Sequence, residues 1–555
     1  MAKITIFEKD VTSPGITSVT NNVVFIPGYS IMGPVNSPIL CQTLESFQKI
    51  FGSKPYKFES IQANPTFNPA LSGKYANIND YEKSYVYAAE LLRNGLPVMF
   101  ERVMKEDIID TFTASNVGTT NASILSIKSK NPGQYGTYIE YKCTKIPVEA
   151  PAVITDFVFE VRLQRDNEFG IPETINTSYV ISNDPTSKNF WENINTLLVD
   201  LSISEDADIS TLVNNTEFVK LSIPTPSPLS HEFSVSNFYN ILKGYSYTSG
   251  ELTINVDSIF NKLIDRNDFN IKFISSGTYP VFEYDSNSVT DIMLTIAAKR
   301  GDTSALIDHT NIIDRPLIGL NSLHESVNNL DTVTVVTGEN VDTEEDARKY
   351  GSMMTPWASY SSRVINKNII LPGSFAYLNA LAISIRTNAN WYAIAGVTRG
   401  LVPNIIEPCQ KVTGAIATAL QARTGISINP ILFINPYGYC LWGNRTLHEN
   451  EIDLAASSFL NVRCLTNDVK KVIYTSARSL TFELNDDILW LNFKSTVEKT
   501  LDQMVSGNGL TGYKVIRKST TKKATIVAII KLFTVEAVED FDITVELADS
   551  YIEVQ

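Results

Sequence analysis

The sequence has few cysteines and histidines and lacks the short motifs that usually mark an enzyme. It contains five cysteines and four histidines in 555 residues. The histidines form no H-E-x-x-H and no i, i+4 pair, and no C-x-x-C accompanies them, so we expect no metal site. The phosphate-binding G-x-x-x-x-G-K-[ST], the dinucleotide-binding G-x-G-x-x-G and the hydrolase G-x-S-x-G are also missing. We therefore expect no cofactor and no catalytic residue, although distant residues could still assemble a catalytic site.

Positive charge and long apolar runs are scarce too. The chain has 46 Lys and Arg against 60 Asp and Glu, a net charge of −14. Without a phosphate-neutralising cluster, we expect no direct contact with nucleic acid or with an anionic membrane. Aliphatic runs such as 524–530 are far shorter than the ~20 residues that span a bilayer. Residues 1–13 predict no secretory signal, and the odd, widely spaced cysteines favour reduced thiols in a cytoplasm.

The composition is that of a large globular protein. Hydrophobic residues make up 43% of the chain and aromatic residues 10%. These fractions are ample for packed cores and exclude general disorder. At about 150 residues per domain, the length predicts three or four domains.

The front of the chain has an α/β pattern. An apolar strand at 23–29 is followed by a short helix at 43–51, which Gly52 ends. Apolar and aromatic residues then recur at helical spacing over 81–92, and a strand resumes at 96–103. This strand, helix, strand order is the usual start of an α/β sheet.

The middle of the chain has a different composition and sequence pattern. From about residue 105 it is rich in Thr, Ser and Asn, with predicted strands such as 135–141 and 156–162. The segment SIPTPSPLS at 222–230 is typical of a module edge or a long surface loop. We predict one or two mainly β modules over 106–365.

Helical patterns return in the back of the chain. We predict a helix over 375–386, a buried strand at 431–434, and a helix over 467–476 capped by Asn467. Strands are predicted at 513–516 and 526–533.

A long amphipathic helix is predicted after Asn485, which would cap it, and before Gly507, which would end it. Its apolar residues recur every three or four positions and comprise Trp490, Phe493, Val497, Leu501 and Met504.

The front and back segments share an α/β sequence pattern that the middle lacks. We therefore predict a mixed α/β (α+β) core built from both, with the mainly β middle as an insertion and with extended terminal arms. The predicted organisation is an N-terminal arm at 1–22, the first part of the core at 23–105, the inserted domain or domains at 106–365, the second part of the core at 366–540 and a C-terminal arm at 541–555.

Three short motifs have a functional and a structural interpretation. The acidic segment 204–210 could bind Ca²⁺, but a solvated turn is favoured because the loop glycine and final Glu of an EF-hand are missing. Residues 343–349 predict a capped helix start. Arg445 could bind an anion, but a tight turn with a packed Trp442 indole is favoured.

The last strand raises the question of its partner. In FDITVEL (541–547), apolar and polar residues alternate, as in a strand with one buried and one wet face. Such a strand has unpaired amides and needs a sheet edge to join. It could pair within its own domain or with another copy of the chain.

Several segments, in this order and spacing, resemble the tail sheath proteins of contractile bacteriophages and related contractile injection systems. The resemblance covers the front hundred residues and nearly all of the last 185. The segments are Pro14-Gly15, FIPGYSIMGPVNSPILCQTLESFQKIFG (25–52), WYAIAGVTRGLV (391–402), WGNRTL (442–447), FLNVRCL (459–465) and TFELNDDILW (481–490).

The resemblance implies a virion structural protein, assembled in the host bacterial cytoplasm, that polymerises helically around a tail tube and contracts. It implies as partners other copies of the chain, the tail tube protein, and the baseplate and tail terminator proteins. Its terminal arms would complete sheets in neighbouring subunits. The arm residues are Ile4, Ile6, Phe7, Phe541, Ile543, Val545, Leu547, Ile552 and Val554. A baseplate component and an enzyme without known motifs are the alternatives.

Overall fold

The computed structural model describes some segments with their side chains and others by their backbone alone. Side chains and backbone are described over 22–30, 33–52, 80–103, 256–277, 289–308, 332–336, 342–421, 427–448, 456–519 and 525–535, except for side chains at some helix and strand positions. Between 103 and 256, the backbone of short strands and residue 186 are described.

The strands alternate with helices in the front and back of the chain and follow one another in the middle. The strands are β1 (Val24–Gly28), β2 (Ile39–Cys41), β3 (Val98–Arg102), β4 (Ser115–Val117), β5 (Leu125–Ser129), β6 (Ile139–Lys145), β7 (Asp156–Asp166), β8 (Pro172–Ser182), β9 (Asp200–Leu201), β10 (Val219–Ser222), β11 (Tyr239–Asn240), β12 (Phe273–Ser275), β13 (Ser304–Ile307), β14 (Thr332–Val336), β15 (Asp342–Asp346), β16 (Gly351–Thr355), β17 (Ala358–Ser362), β18 (Lys367–Leu371), β19 (Ile405–Pro408), β20 (Asn429–Ile434), β21 (Gly438–Leu441), β22 (Leu510–Lys518) and β23 (Val527–Thr534). The α-helices are α1 (Leu44–Phe51), α2 (Asp80–Arg93), α3 (Val256–Asn261), α4 (Val289–Arg300), α5 (Gly373–Ser384), α6 (Gly396–Arg399), α7 (Gly414–Leu420), α8 (Leu460–Ser479) and α9 (Asp487–Ser506).

An eight-stranded sheet forms the centre of the described structure. Its strand order is β2-β3-β1-β12-β13-β16-β20-β21. The strands from β3 to β20 run parallel, whereas β2 and β21 are antiparallel edge strands. Parallel strands need crossover connections, which helices supply here. The predicted mixed α/β fold is confirmed.

The central sheet also corrects the predicted extent of the insertion. Strands β12, β13 and β16 lie in this sheet, between β1 and β20. They fall within 106–365, which the sequence pattern assigned to the inserted modules. The core therefore resumes well before residue 365, by about residue 273 at the latest. Because these strands are buried on both faces and only three to five residues long, they carry no alternating pattern.

Two hydrophobic cores cover the two faces of the central sheet. Successive residues of β1 show the division, since Val24 and Ile26 lie in one core and Phe25 lies in the other. Helices α1, α2 and α5 cover the first face, and α3, α4 and α7 cover the second. The result is a three-layer α/β arrangement.

The front segment forms as its sequence predicts. Thr43 caps α1 by accepting a hydrogen bond from the Ser46 backbone N–H at 3.2 Å. Gly52 ends this helix with a positive φ of 97°, a conformation that glycine adopts without steric cost. On the buried side of α1, Phe47 and Phe51 pack edge-on against Phe100 of β3.

The described strands between residues 115 and 240 pair antiparallel and carry the β character predicted for the inserted modules. One four-stranded sheet has the order β4-β5-β10-β9, and another has the order β11-β6-β7-β8. The predicted helix start at 343–349 is corrected in part. Residues 342–346 form β15, and Asp346 then caps a short 3₁₀ turn at 347–350 through the Arg348 N–H.

Helix α8 corrects a second prediction. It begins at Leu460, so Asn467 lies inside the helix and is buried, instead of capping it. Its amide Nδ2 donates to Ser304 Oγ of β13 at 3.0 Å. The next residue, Asp468, forms a buried ion pair with Lys272 beside β12 at 2.8 Å. Because the residues at the start of this helix are buried, they show no amphipathic pattern, and the sequence did not indicate where the helix begins.

The segment around Arg445 is not the predicted tight turn with a packed indole. Arg445 instead forms an isolated antiparallel bridge with Phe459. The Trp442 side chain is 40% exposed. Arg445 is buried, with its guanidinium 4.8 Å from the Phe459 ring centroid. Its backbone N–H donates to Asn429 Oδ1 at 2.8 Å. The arginine thus holds this segment beside β20.

A buried carboxyl at the end of β13 makes stability depend on pH. Burial raises the pKa of Asp308 to about 7, against hydrogen bonds that it accepts from the Ser374 N–H and Oγ–H. Since the unfolded carboxyl has a pKa of ~3.9, the folded state binds more protons between about pH 4 and pH 7. Stability from this group is therefore present at low pH and lost as pH rises through 7.

We expect Asp308→Asn to remove this contribution. Relative to the variant, the wild type should gain about 1 kcal/mol of unfolding free energy between pH 7 and pH 6. The measurement is urea unfolding of both proteins at pH 6, 7 and 8. Burial also raises the pKa of Glu101 to about 7. Because Glu101 is present in both proteins, its contribution cancels in the comparison. Parallel pH profiles would contradict the assignment to Asp308.

Candidate functional site: a two-stranded hairpin with open edges

The last described segments, within 510–535, contain a hairpin that no other described strand joins. Strands β22 and β23 pair antiparallel, from Leu510 with Thr534 to Lys518 with Val527. They form a two-stranded sheet, so each has an outer edge without a partner strand among the described residues. Such edges present unpaired N–H and C=O groups to any strand that arrives. A two-stranded sheet is also marginal on its own, so added strands would stabilise it.

Helix α9 covers one face of this hairpin. The predicted apolar stripe is confirmed, since Phe493, Val497, Leu501 and Met504 are buried. Tyr513, Val515, Ala528, Ile530 and Leu532 of the hairpin pack against them. Burying four such side chains stabilises the layer by a gross ~6–12 kcal/mol. The hairpin is thus one wall of a third hydrophobic core, with α8 and α9 as the other wall.

The ends of α9 are fixed by specific contacts. The helix cap is Asp486, one residue after the predicted Asn485, and it accepts a hydrogen bond from the Leu489 N–H at 2.7 Å. Asp487 follows in the first turn and accepts from Arg517 of β22 at 2.8 Å. Gly507 ends the helix as predicted. The helix and strand β22 are therefore held together at the start of the helix.

Trp391 holds the other end of α9. Its indole Nε1 donates to the Gly507 carbonyl at 2.8 Å. The ring lies so close that a Cβ at Gly507 or Gly509 would come within 2.4 or 2.8 Å of it. Asn461 of α8 donates to the Trp391 carbonyl at 3.2 Å. These contacts join the core, α8 and the start of β22.

Both terminal segments leave the described structure close to Trp391. At the front, Asn22 Nδ2 donates to Asn390 Oδ1 at 3.1 Å. At the back, Thr534 pairs with Leu510, which directly follows the glycines under the indole. Residues 1–21 and 536–555 are therefore attached at neighbouring points beside the hairpin.

All of the arm residues predicted from sequence lie outside the described residues. They are Ile4, Ile6, Phe7, Phe541, Ile543, Val545, Leu547, Ile552 and Val554. The structure shows a hairpin with open edges instead, and the sequence predicted its two strands without indicating those edges.

The outer face of the hairpin, away from α9, is basic and partly apolar. Lys514 and Lys518 of β22 and Lys531 of β23 are exposed. Between them, Ile516 and Phe533 are 41% and 46% exposed. This combination suits a partner that brings both apolar and acidic side chains.

A second exposed apolar surface lies at the connection between α8 and α9. Phe482 is fully exposed and has a positive φ of 74°. The other members are Leu484, Ile488 and Leu491. This surface is at the start of α9, so the ~30 Å length of a 20-residue helix separates it from the Trp391 contact at the other end of the helix.

An open cleft of about 540 Å³ lies between the end of α5 and the β20–β21 turn. Phe433 and Tyr437 on its rim are 60% and 59% exposed. Arg399 is its charged lining residue, and it donates to the Ala393 carbonyl at 3.0 Å while stacking on Tyr392. This arrangement offers no nucleophile with an adjacent base.

Among the described residues, three of the four cysteines are buried and His448 contacts a carboxylate. Burial raises the pKa of the Cys41 thiol to about 12 and that of Cys464 to about 11, which makes both poor nucleophiles. His448 Nδ1 lies 3.0 Å from Asp346 Oδ2. Although burial works against it, hydrogen bonds from His448 and Arg348 lower the pKa of Asp346.

Two searches of the described residues gave negative results. No cluster of three or more His, Cys, Asp or Glu side chains there is arranged to hold a metal ion. None of the described helices combines the length and apolar character needed to cross a membrane.

Comparison with known proteins gives one relative in sequence and several in structure. No family model matches the chain. Over 179 residues, or 32% of the chain, it is 27% identical to a tail sheath protein of Vibrio phage KVP40. This match spans a quarter of that relative's length.

Two of the structural matches extend over almost the whole chain. The crystal structure of a sheath tail protein from Listeria innocua aligns with a TM-score of 0.53 and 8% identity, over 93% of this chain and 95% of that one. A sheath tail protein from Desulfitobacterium hafniense aligns with a TM-score of 0.47 and 10% identity, over 96% and 100%. The resemblance predicted from the sequence is confirmed: the chain is similar to a tail sheath protein in sequence over 32% of its length and to another in fold over 93% of it.

Proposed function

We propose that this chain is the structural subunit of a contractile tail sheath. Copies would polymerise helically around a tail tube and contract to drive the tube through a target envelope. The observation that carries the proposal is the hairpin with two open edges, placed beside the points where both terminal segments are attached. The proposal assigns the protein a mechanical role and no catalysis.

Donor and acceptor strands occur in equal numbers in each chain. The hairpin offers two open edges, one on β22 and one on β23. The predicted arms at 1–22 and 541–555 offer two strands. A strand that joins the edge of another molecule's sheet forms main-chain hydrogen bonds along its whole length. If every subunit donates both arms and accepts two, the links extend through the polymer without an unpaired edge.

A single arm is a weak joint. Burying the apolar face of 541–547 would contribute a gross ~6–12 kcal/mol, but ordering a strand costs ~1–2 kcal/mol per residue. These terms nearly cancel for one arm. In a polymer each engaged arm raises the effective concentration of the next. The sheath would therefore be stable as a lattice while its individual links stay exchangeable.

Contraction in this proposal needs no nucleotide. The extended lattice would be a trapped state of higher energy, formed during assembly and released by a rearrangement of packed subunits. The proposed partners are other copies of the chain, the tail tube, the baseplate and the tail terminator. The proposed location is the virion, after assembly in the host cytoplasm.

The test is electron microscopy of the purified full chain beside a chain truncated after Asp540. We expect tubular helical polymers from the full chain and their loss after truncation, because the truncation removes the donor strand. A second pair of variants changes one residue each and leaves the length of the chain unchanged. Ile543→Asp places a charge on the apolar face and should block assembly, whereas Thr544→Asp, on the polar face, should leave it intact.

Other particles would contradict the proposal. Rings of defined size would indicate a baseplate component, and a small closed oligomer would favour an enzyme. Tubes from both the full and the truncated chain would retain the sheath but reject the terminal strand as its link.

A further inference from the structure

The cleft between the end of α5 and the β20–β21 turn has the character of a docking surface. Its lining is mostly apolar and aromatic, with hydroxyl and amide groups from Ser384, Thr387 and Asn388 at the α5 end. Its volume of about 540 Å³ lies within the ~300–1,000 Å³ of typical binding pockets. Besides the two aromatic rim residues, Ile383 and Leu401 are 41% and 37% exposed. Contiguous exposed apolar surface of this kind marks a site that another segment or molecule covers.

The N-terminal segment 1–21 leaves the described structure next to this cleft. Asn22 is held by its hydrogen bond to Asn390, two residues along the chain from the lining residue Asn388. Two residues span at most ~7 Å. The segment is therefore attached at the α5 end of the cleft.

Asn22 also indicates that the residues before it continue along this part of the surface. It is 8% exposed, and its side-chain Oδ1 has no hydrogen-bond donor among the described residues. A buried acceptor without a donor is unfavourable and rare in proteins. The nearest source of the donor is the segment that directly precedes Asn22, which would hold that segment against the cleft side of the molecule.

The sequence of this segment suits the lining of the cleft. Residues 11–21, VTSPGITSVTN, contain no charged side chain and are mainly apolar or hydroxyl-bearing. Ile16 and Val19 are one turn apart in the polyproline II conformation that the nearby Pro14 favours, so they share one edge. In an extended chain Val19 lies within ~11 Å of Asn22, and Ile16 lies within ~22 Å. Both side chains can therefore reach the cleft.

We propose that the cleft is the docking site for residues 14–19 of its own chain, with Ile16 and Val19 between the end of α5 and the β20–β21 turn. The inference goes beyond the proposed function, because it concerns a contact inside one molecule and needs no polymer. Residues 1–13 stay outside the cleft and remain available as the proposed arm. Docking would fix the point and the direction at which that arm leaves the subunit.

The short tether favours the chain's own segment over that of a second copy. Only about three to six residues connect Asn22 to the proposed contacts, and so short a link raises the effective concentration to roughly the millimolar range. A segment from another molecule lacks this advantage, so it would have to bind far more tightly to displace the tethered one.

Charge disfavours the C-terminal segment as the occupant. Residues 536–555 carry seven acidic side chains and no Lys or Arg. Burying carboxylates against an apolar lining is unfavourable unless each is paired. Arg399, the charged lining residue, already stacks on Tyr392 and donates to the Ala393 carbonyl. The uncharged segment 14–19 avoids this cost.

Paired cysteines in the full chain test the inference. The test pair is Ile16→Cys with Tyr437→Cys, on the exposed rim of the cleft. The control pair is Ile16→Cys with Lys367→Cys, an exposed position outside the cleft lining. At low protein concentration and under mild oxidation, we expect the test pair to form an intramolecular disulfide roughly ten-fold faster than the control pair. Non-reducing electrophoresis and peptide mapping by mass spectrometry measure the product.

A second measurement does not depend on cysteine geometry. Ile16→Asp with Val19→Asp places two charges on the docking edge and should speed hydrogen exchange of residues 14–21 and of the β20–β21 turn roughly ten-fold. Thr12→Asp with Ser13→Asp adds the same charge to the same segment, outside the docked residues. This control should leave exchange in both regions within about two-fold of the wild type.

Several outcomes would overturn the inference. They are disulfide formation no faster than in the control pair, a disulfide that joins two molecules, and equal exchange in the two Asp variants. Faster disulfide formation by Val545→Cys with Tyr437→Cys would assign the cleft to the C-terminal segment instead. All of these are measured on the unassembled chain. Tubes without the docking signals would therefore reject this inference alone, whereas docking signals without tubes would reject the sheath proposal alone.

Discussion

Replacing Arg300 with methionine is expected to lower the free energy of unfolding by about 3–5 kcal/mol. Arg300 ends α4, and its side chain is 1% exposed. Its Nε donates to Asp302 Oδ1 and Thr303 Oγ1, both at 3.0 Å. Its terminal nitrogens donate to backbone carbonyls, including that of Phe269 at 2.9 Å. The variant leaves a buried carboxylate and several carbonyls without their donors.

The measurement for Arg300→Met is denaturant unfolding followed by intrinsic fluorescence. Lys299→Met is the matched control, since it removes a positive charge from the adjacent, exposed position of the same helix. We expect the control to lie within about 0.5 kcal/mol of the wild type. Equal losses in both variants would show that the charge at the helix end, and not the buried hydrogen bonds, is responsible.

Gly373→Ala is expected to destabilise the chain by about 3 kcal/mol, at the upper end of the range for overpacking. Gly373 is the first residue of α5, which covers one face of the central sheet. A Cβ at this position would lie 2.2 Å from the carbonyl oxygen and 2.6 Å from the carbonyl carbon of Met354. Both atoms belong to the backbone at the end of β16, so no side-chain rotation relieves the contact. The helix would have to move away from the sheet.

Another glycine at a helix start provides the comparison. Gly414 is the first residue of α7, and a Cβ there meets no atom within 4 Å. Gly414→Ala should therefore be neutral or stabilising by up to about 1 kcal/mol, because alanine loses less backbone entropy on folding. Thermal unfolding of both variants beside the wild type measures the difference. A similar destabilisation by both would contradict the steric explanation.

The sequence predicted helices and strands best where one face is buried and the opposite face is exposed. The stripe along α9 and the short helix at 43–51 were found because the exposed face contrasts with the buried one. Helix α8 was placed too late, at Asn467, because residues 460–465 are all buried and show no contrast. Strands β12 and β13 were assigned to the insertion for the same reason, since strands buried on both faces lose the alternating pattern.

The candidate site was predictable only in part. The alternation in 541–547 and the strands at 513–516 and 526–533 could be read from residues, and the latter two are confirmed as β22 and β23. That these strands lack outer partners depends on the whole topology, which no local pattern contains. The opposition of Lys514 and Lys531 depends on the register of pairing, which shifts at a bulge between Leu510 and Gly512.

The packing of Trp391 on the end of α9 has a mechanical consequence. When a rigid body rotates, the displacement of each point equals its distance from the rotation axis multiplied by the rotation angle. A segment attached close to the axis is therefore displaced very little. Residues 22 and 535 are both held near this indole, whereas the start of α9 lies about 30 Å away. In the proposed sheath, a subunit that pivots about its Trp391 end could therefore swing its far side through a wide arc without straining the arms proposed to link it to its neighbours.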